Sequence, residues 1–432
     1  MKALETSQFS TDKKHIVIVG GGFGGLSAAK TLANNPLVNL TLIDKRNYHL
    51  FQPLLYQVAT AGLSPAEIAY PLRSILSGSD NLSVIMGEVA SVDQGKRIVK
   101  THENEFHYDY LILSCGATQT YFNHDEWEVN APSLKTLEQA TEIRRRVFLA
   151  FEEAEKTLDI EKKKKCLTFI VIGGGPTGVE LAGALGEITR YTLSKDFKHI
   201  NPQHTRVILI EAGPRILPSF SKDLSLEAMR DLEKFGIQVW TNSPVSLINE
   251  DGVQVGKEFL SSNTVIWAAG VGANKINKLI SNEIDKAGRI IVEPDLSIKN
   301  NPHVFVIGDQ AHTKDGIEQK PLPGLAPVAM QQGRYVAKLI INELKGKERK
   351  KFHYNDKGQM ATIGKSKAVA MFRGFEFKGF IAWMAWLVVH IYYLIGFKNR
   401  IFVILQWAWM YTTSRRGARL IVDKEWKGST ER

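Results

Sequence analysis

Cysteine is nearly absent: Cys115 and Cys166 are the only two in 432 residues. Standing far apart, they argue against a disulfide framework, a zinc site and a CxxC redox pair, and the reducing cytoplasm is the default compartment. The opening MKALETSQFSTDKK has no apolar core. It is expected to be a frayed lead-in rather than a secretory signal or an anchor. Acid excess is missing too. With Lys+Arg at 55 against Asp+Glu at 45, the formal charge is +10, which suits nucleic acid, an anionic membrane or acidic ligands until its distribution is considered. A composition 44% hydrophobic and 23% charged excludes wholesale disorder. The length admits about two or three domains, each with its own core.

The stretch HIVIVGGGFGGLSAAKTLANNPLVNLTLID, from His15 to Asp44, reads as a βαβ unit. An apolar strand (Ile16 to Val19) meets a glycine turn, a helix, and a second strand (Leu40 to Ile43) that ends in an acid. Gly20, Gly22 and Gly25 fall on the GxGxxG spacing, which gives a tight turn, close backbone approach to a pyrophosphate and close helix–strand packing. The helix N-terminus offers N–H groups and positive dipole to phosphate, and Asp44 is placed to accept ribose hydroxyls.

KRNYHLFQPLLYQVATAGLSPAEIAYPLRSIL follows. Running into a short helix, it reads either as a loop wrapping a cofactor or as a loop with a few buried aromatics. Leu82 to Val99 and Phe106 to Leu113 alternate like strands. The second run ends in LILSCGAT, where Cys115 reads as a small residue in a tight turn rather than a nucleophile. Ser133 to Lys156 predicts a helix with Ser133 as its cap, and EKKKKC predicts a solvated basic edge entering a strand.

The first unit then recurs. Cys166 to Val171 predicts a strand, Gly173, Gly175 and Gly178 repeat the spacing, VELAGALGEITRY continues as helix, and RVILIEAGPRIL ends a strand at Glu211. The repeat implies two nucleotide sites. A carboxylate at Glu211 would repel a 2′-phosphate and so favours NADH, with Arg215 close by. The AAG of TVIWAAGV mirrors the earlier SCGA. HVFVIGDQA places Gly308 and Asp309 at a strand tip, where Asp309 either bonds a ribityl hydroxyl or merely starts a turn. APVAMQQGRYVAKLIINEL predicts a helix with Gln331 and Gln332 in its opening turns, near a flavin or simply packed.

FIAWMAWLVVHIYYLIG (Phe380 to Gly396), FKNR and IFVILQWAWMY close the chain. As helices the two apolar runs span roughly 25 Å and 16 Å, short of the ~30 Å hydrocarbon core. Interfacial insertion is the leading expectation, ahead of a buried or dimer helix and of a true span. Trp383, Trp386, Trp407, Trp409, Tyr392, Tyr393 and Tyr411 would sit at the interface, and Lys398, Arg400, Arg415, Arg416 and Arg419 would meet anionic headgroups. Positive charge lying beside an apolar tail argues against nucleic acid.

Taken together, VIVGGGFGGLSAAK, FQPLLYQVATAGLSP, LILSCGAT, FIVIGGGPTGVELAGAL, LIEAGPRILP, VIWAAGV, VFVIGD and APVAMQQG resemble the two-dinucleotide-binding-domain flavoproteins, and within them the type II NADH dehydrogenases. The resemblance implies an α/β fold of two Rossmann-like dinucleotide-binding domains, for FAD and for NADH, with a C-terminal membrane-associating helical segment. The domains are expected at 1–135 (FAD, first part), 136–295 (NADH), 296–350 (FAD, second part) and 351–432 (membrane anchoring or dimerisation).

The resemblance also implies non-covalent FAD held by Gly20, Gly22, Gly25, Asp44, Gly308 and Asp309, and NADH held by Gly173, Gly175, Gly178 and Glu211. No metal is expected. Hydride would pass from NADH to the flavin and two electrons on to ubiquinone or menaquinone, without proton pumping. Glu180 matches a glutamate assigned to a proton relay; the bland alternative is a solvated helix position. Gln331 matches the second glutamine of a quinone-side AQxAxQ motif, while Pro327 replaces the first. A homodimer, peripheral on the cytoplasmic face of the cell membrane and contacting lipid through 380–419, completes the expectation. The cysteine placement argues against disulfide reductases and sulfide:quinone oxidoreductases. A flavoprotein with a soluble acceptor and a non-catalytic redox sensor are the competing readings.

Overall fold

The computed structural model describes residues 13–192, 196–201, 205–314, 321–413 and 416–422. The expected lead-in before residue 13 and Arg415 lie outside the described residues. Contacts divide the chain into two units, one built from residues up to Leu50 with Ala69–Gln119 and Val271–Asp356, the other from Phe51–Ile68, Thr120–Gly270 and Lys357 onward.

The first unit is centred on a six-stranded sheet. Its order is Ser297–Ile298, Asn301–Val306, Tyr110–Leu113, Lys14–Val19, Val38–Asp44 and Leu82–Met86. All pairings are parallel except the first. The central strands are buried along nearly their whole length, the pattern of a parallel sheet covered on both faces. Helix Phe23–Leu32 packs against the long helix Ala326–Leu344 where two glycines meet: a Cβ on Gly333 would lie 2.2 Å from the carbonyl oxygen of Gly24.

The second unit repeats the plan with a four-stranded parallel sheet, Ile237–Trp240, Arg206–Ile210, Thr168–Ile172 and Thr264–Trp267. The helix Pro176–Glu187 follows the second glycine turn. A three-stranded antiparallel sheet, Gln359–Gly364, Lys367–Phe372 and Phe375–Lys378, leads into two tail helices, Gly379–Tyr393 and Phe397–Thr413.

Several local expectations are corrected. The cap of the helix Leu137–Lys156 is Thr136, whose hydroxyl accepts from Gln139 N while the Gln139 side chain accepts from Thr136 N. This is a reciprocal capping box. Ser133 is instead fully buried and bridged to the strand at Trp267. The lysine run is itself a helix, Ile160–Cys166, started by Asp159 accepting from Glu161 N and Lys162 N, so Cys166 ends a helix and the strand begins at Thr168. FKNR begins the second tail helix, because the chain turns at Gly396, where φ is +90°.

The tail departs from expectation in which of its aromatic residues face out. Trp383, Trp386, His390, Asn399, Val403 and Trp407 face inward and are buried, while Ile381, Val388, Phe397, Leu405 and Trp409 face out. Three of the four tryptophans expected at a lipid interface therefore serve the interior. Arg416 also points inward.

Candidate functional site

In the first unit the glycine turn is built by steric necessity. Gly20 has φ +101°, and a Cβ there would meet the Ser114 carbonyl oxygen at 2.4 Å. A Cβ on Gly25 would lie 1.9 Å from the Gly20 carbonyl oxygen, whereas one on Gly22 would meet nothing within 4 Å. Two of the glycines thus close the turn, and the third leaves its outer side open to a ligand. No side chain caps the helix that begins there.

Asp44 clamps this turn. Its Oδ2 accepts from Gly21 N at 2.5 Å and its Oδ1 from Arg46 N at 2.7 Å. Burial outweighs these bonds and holds its pKa above the ordinary carboxylate value. His49, which the sequence did not single out, donates from Nδ1 to the Gly21 carbonyl at 3.0 Å. Burial lowers its pKa to about 4, so the ring is neutral and Nε2 is a buried acceptor without a hydrogen-bond partner. An open turn, a clamped acid and an orphaned ring nitrogen beside the same glycine fit a dinucleotide pyrophosphate and its ribose hydroxyls.

Gly308 (φ +70°) follows the strand Asn301–Val306, and its N–H donates to Gln332 Oε1 at 2.6 Å. Asp309 lies beside it, half-buried and close against Gly324. Gln331 turns the other way: its Oε1 accepts from Asn355 N at 3.0 Å and its Nε2 donates to Asn355 O at 2.9 Å. Pro327 occupies the first turn of that helix, where the missing N–H costs nothing.

The second unit copies the first turn nearly atom for atom. Gly173 has φ +110°, a Cβ on Gly178 would lie 1.8 Å from the Gly173 carbonyl oxygen, and one on Gly175 would meet nothing within 4 Å. Glu211 accepts from Gly174 N and Gly213 N, each at 2.6 Å. Arg215 is committed to backbone, donating to Phe220 O at 2.7 Å and Pro218 O at 2.8 Å.

Glu180 lies on the helix that leaves this turn. Gly183, one turn on, lets the strand Gln359–Gly364 pass over the helix; a Cβ there would lie 1.8 Å from Ile363 O. That approach brings Thr362 N to Glu180 Oε1 at 3.3 Å. Glu180 is half-buried by exposed area, with protein packed closely enough around its carboxyl to desolvate it. Desolvation pushes its pKa up to about 8. The Thr362 N–H eases this shift, followed by the nearby Trp386 indole, whose Nε1 makes no hydrogen bond among the described residues.

Around the carboxyl runs a chain that sequence reasoning missed. Trp407 Nε1 donates to Gln57 Oε1 at 2.7 Å, and Gln57 Nε2 donates to the Tyr56 hydroxyl at 2.9 Å. Burial first, then the negative field of Glu180, holds the Tyr56 hydroxyl far above its ordinary pKa. His390, stacked on Trp386 at 4.1 Å and donating to Trp386 O at 2.7 Å, is lowered to about 4 by burial and is neutral. Within the segment expected as a loop, Gln52–Leu54, Leu55–Ala59 and Pro65–Ile68 are short helices in the same unit as the tail, while Tyr48–Leu50 pairs with Ala69–Pro71.

Arg416 fastens that tail. It is buried, donating to Thr60 O at 2.8 Å and pairing with Glu187 at 3.1 Å. Replacing Arg416 with Ala is expected to cost about 3 kcal/mol, because the half-buried Glu187 loses its cation. The check is chemical denaturation followed by tryptophan fluorescence, and an unchanged midpoint would refute the latch.

Cys115 and Cys166 are free, and burial pushes the Cys115 thiol up to about 12. Paired βαβ units with clamped glycine turns define the pyridine nucleotide-dependent flavoprotein class: a family model described as pyridine nucleotide-disulphide oxidoreductase matches residues 14–333. A second, described as NDH2 C-terminal domain, matches residues 357–416.

The type II NADH:quinone oxidoreductase NdhA of Mycobacterium tuberculosis is 41% identical over 430 residues, covering 95% of this chain and 90% of that one. The Staphylococcus haemolyticus type II NADH:quinone oxidoreductase is 31% identical, covering 85% and 92%. The chain belongs to the type II NADH:quinone oxidoreductases. A solved structure of NDH2 from Plasmodium falciparum in complex with NADH shares the fold, with TM-score 0.86 at 22% identity, covering 95% of this chain and 100% of that chain.

Proposed function

We propose that this chain oxidises NADH with quinone as acceptor at a membrane surface, and that Glu180 carries the proton quinone reduction requires. FAD is the cofactor, NADH the substrate and quinone the acceptor. When bound, FAD supplies a hydride acceptor that can release two electrons. The protein's part is to hold, orient and protonate. Gly20, Gly22, Gly25, Asp44, Gly308 and Asp309 hold FAD, with His49 Nε2 as a further acceptor. Gly173, Gly175, Gly178 and Glu211 hold NADH, and both carboxylates accept ribose hydroxyls on lone pairs that their backbone bonds leave open. The proposed FAD domain is 1–135 with 296–350, the proposed NADH domain 136–295 and the proposed anchoring region 351–432, whereas contacts divide the chain after Gln119, Gly270 and Asp356.

The observation that carries the proton assignment is the environment of Glu180. A carboxyl raised to about 8 is a neutral acid at physiological pH and a base only slightly above it, the range useful to a proton relay. Thr362 N–H engages Oε1, which leaves Oε2 to carry the proton. Gln331, its amide fixed by Asn355, is the proposed polar group on the quinone side.

The apolar outward face of the tail supports the membrane reading. Phe397 is 79% and Val388 64% exposed, with His390, Asn399 and three of the four tail tryptophans turned inside. Such a surface is unfavourable in water and suited to a lipid boundary. No helix among the described residues is long and apolar enough to cross a membrane. Attachment is therefore proposed as peripheral, through 380–419, on the cytoplasmic face where NADH is available, with a homodimer as the assembled form.

Stopped-flow absorbance of the detergent-solubilised holoenzyme tests the activity. Rapid flavin bleaching by NADH and rapid reoxidation by a short-chain quinone are expected. Bleaching without reoxidation by quinone would shift the reading to a soluble acceptor or a redox sensor.

A further inference from the structure

The surface hairpin that precedes the tail helices is unexplained by cofactor or substrate binding. Strand Lys367–Phe372 pairs antiparallel with Phe375–Lys378, with Phe372 opposite Phe375 and Ala370 opposite Phe377. Residues directly opposite share a face. Phe372, Phe375 and Phe377 therefore stand on the face through which Ala368 and Ala370 pack against Ala382 and Trp383 of the first tail helix. Beyond that contact the face runs out uncovered. Phe375 is 69% exposed, and Phe372, Phe377 and the adjoining Phe380 are also exposed.

The outer strand is a sheet edge. On its other face Lys378 pairs with Glu227 at 3.2 Å.

The turn adds a second, independent observation. Arg373 (φ +49°) and Gly374 (φ +83°) are its two central residues, the backbone of a type I′ hairpin, in which Asn, Asp or Gly is the unstrained choice at the first position. Arginine stands there in spite of that preference. Its guanidinium lies 5.2 Å from the Phe372 ring centroid and pairs with no carboxylate among the described residues. On the second tail helix, Lys398 similarly stands 5.7 Å over the Phe402 ring. An aromatic tip carrying an unneutralised cation, continuous with the outward apolar face of the tail, has the chemistry of an anionic lipid boundary.

We infer that the hairpin Lys367–Lys378 is a membrane-inserting wedge, its phenylalanines seated at the acyl–headgroup boundary of an anionic bilayer and Arg373 on lipid phosphate. The inference rests on the membrane-surface reading and extends that surface to an element N-terminal to the tail helices. It makes attachment a three-point contact, hairpin and two helices, which fixes the orientation of the unit on the membrane.

The test uses the full-length holoenzyme and vesicles of phosphatidylglycerol and phosphatidylcholine. Cys115 and Cys166 are not exposed, so Phe375→Cys and, separately, Phe402→Cys can be nitroxide-labelled selectively. Accessibility to oxygen against a water-soluble relaxant then reports immersion. Both labels are expected to become shielded from the aqueous relaxant on adding vesicles. Shielding at 402 with 375 still aqueous would overturn the wedge and leave helix-mediated attachment standing; shielding at neither would overturn both. Shielding of 375 without vesicles, with a doubled mass by light scattering, would assign the hairpin to a second copy of the chain and overturn the wedge. Phe375→Ser is further expected to weaken vesicle binding about tenfold, the loss of part of one ring's burial, with turnover of a water-soluble quinone in detergent unchanged. Undiminished vesicle affinity would also overturn the inference.

Discussion

Glu180→Gln is expected to lower quinone turnover by roughly 10²-fold, in the range that positioned proton donors supply, while flavin reduction by NADH changes far less. The wild-type rate should fall as pH rises through about 8, where the neutral acid loses its proton, and the variant should lose that limb. A purely structural role would lower the rate without moving the pH profile.

The same shift predicts a stability signature. Between the ordinary carboxyl value of 4.5 and about 8, folded Glu180 holds a proton that the unfolded chain has released. Stability attributable to this group is therefore full below the lower value and is lost as pH rises through the upper one. Thermal melts of the wild type should drop relative to the glutamine variant across that window and run parallel above it. Coincident curves throughout would place the carboxyl in a more ordinary environment.

Two glycine substitutions in the first turn are expected to fail for different reasons. Gly25→Ala puts a methyl 1.9 Å from a backbone oxygen. The turn must open, at about 1–3 kcal/mol, so apoprotein stability and FAD retention fall together. Gly22→Ala meets nothing within 4 Å and should leave the apoprotein melt unchanged. Its methyl would intrude only on a ligand, and FAD affinity is expected to drop up to ~10²-fold. Flavin-to-protein absorbance after gel filtration, beside melts of flavin-stripped protein, separates the two. Full FAD retention by Gly22→Ala would remove the pyrophosphate from this turn.

The two βαβ units were legible because their strands are buried on both faces and so read as unbroken apolar runs, each broken by glycines whose spacing reflects hard steric contact. Likewise, the mirrored SCGA and AAG tips lie against Gly20 and Gly173. What stayed hidden was partnership across the chain. Gln57 and Trp407 are 350 positions apart, and no local pattern marks their bond. The tail's indoles suggested a lipid interface by composition, yet Trp386 and Trp407 turn inward onto Tyr56 and Gln57, which only the fold brings near. The Thr136 capping box was present as T-x-x-Q and could have been read; Ser133 drew attention because serine is a common cap. The role of His49 had no sequence signal at all, since its value lies in a bond to Gly21 and a ring nitrogen left over.

The backbone bonds of Glu211 also bear on any attempt to retarget the enzyme to NADPH. In the proposed NADH site, discrimination and scaffolding would be fused in one carboxylate, which holds Gly174 and Gly213 and is proposed to face the 2′ position. Exchanging it for a small or basic residue would unfasten the loop before any new preference could emerge. A redesign would have to separate the two duties, keeping a neutral acceptor such as glutamine for the amides and importing the phosphate-binding cation from a neighbouring position. Arg215, already tied to two carbonyls, is not available for that role without rebuilding the turn that follows it.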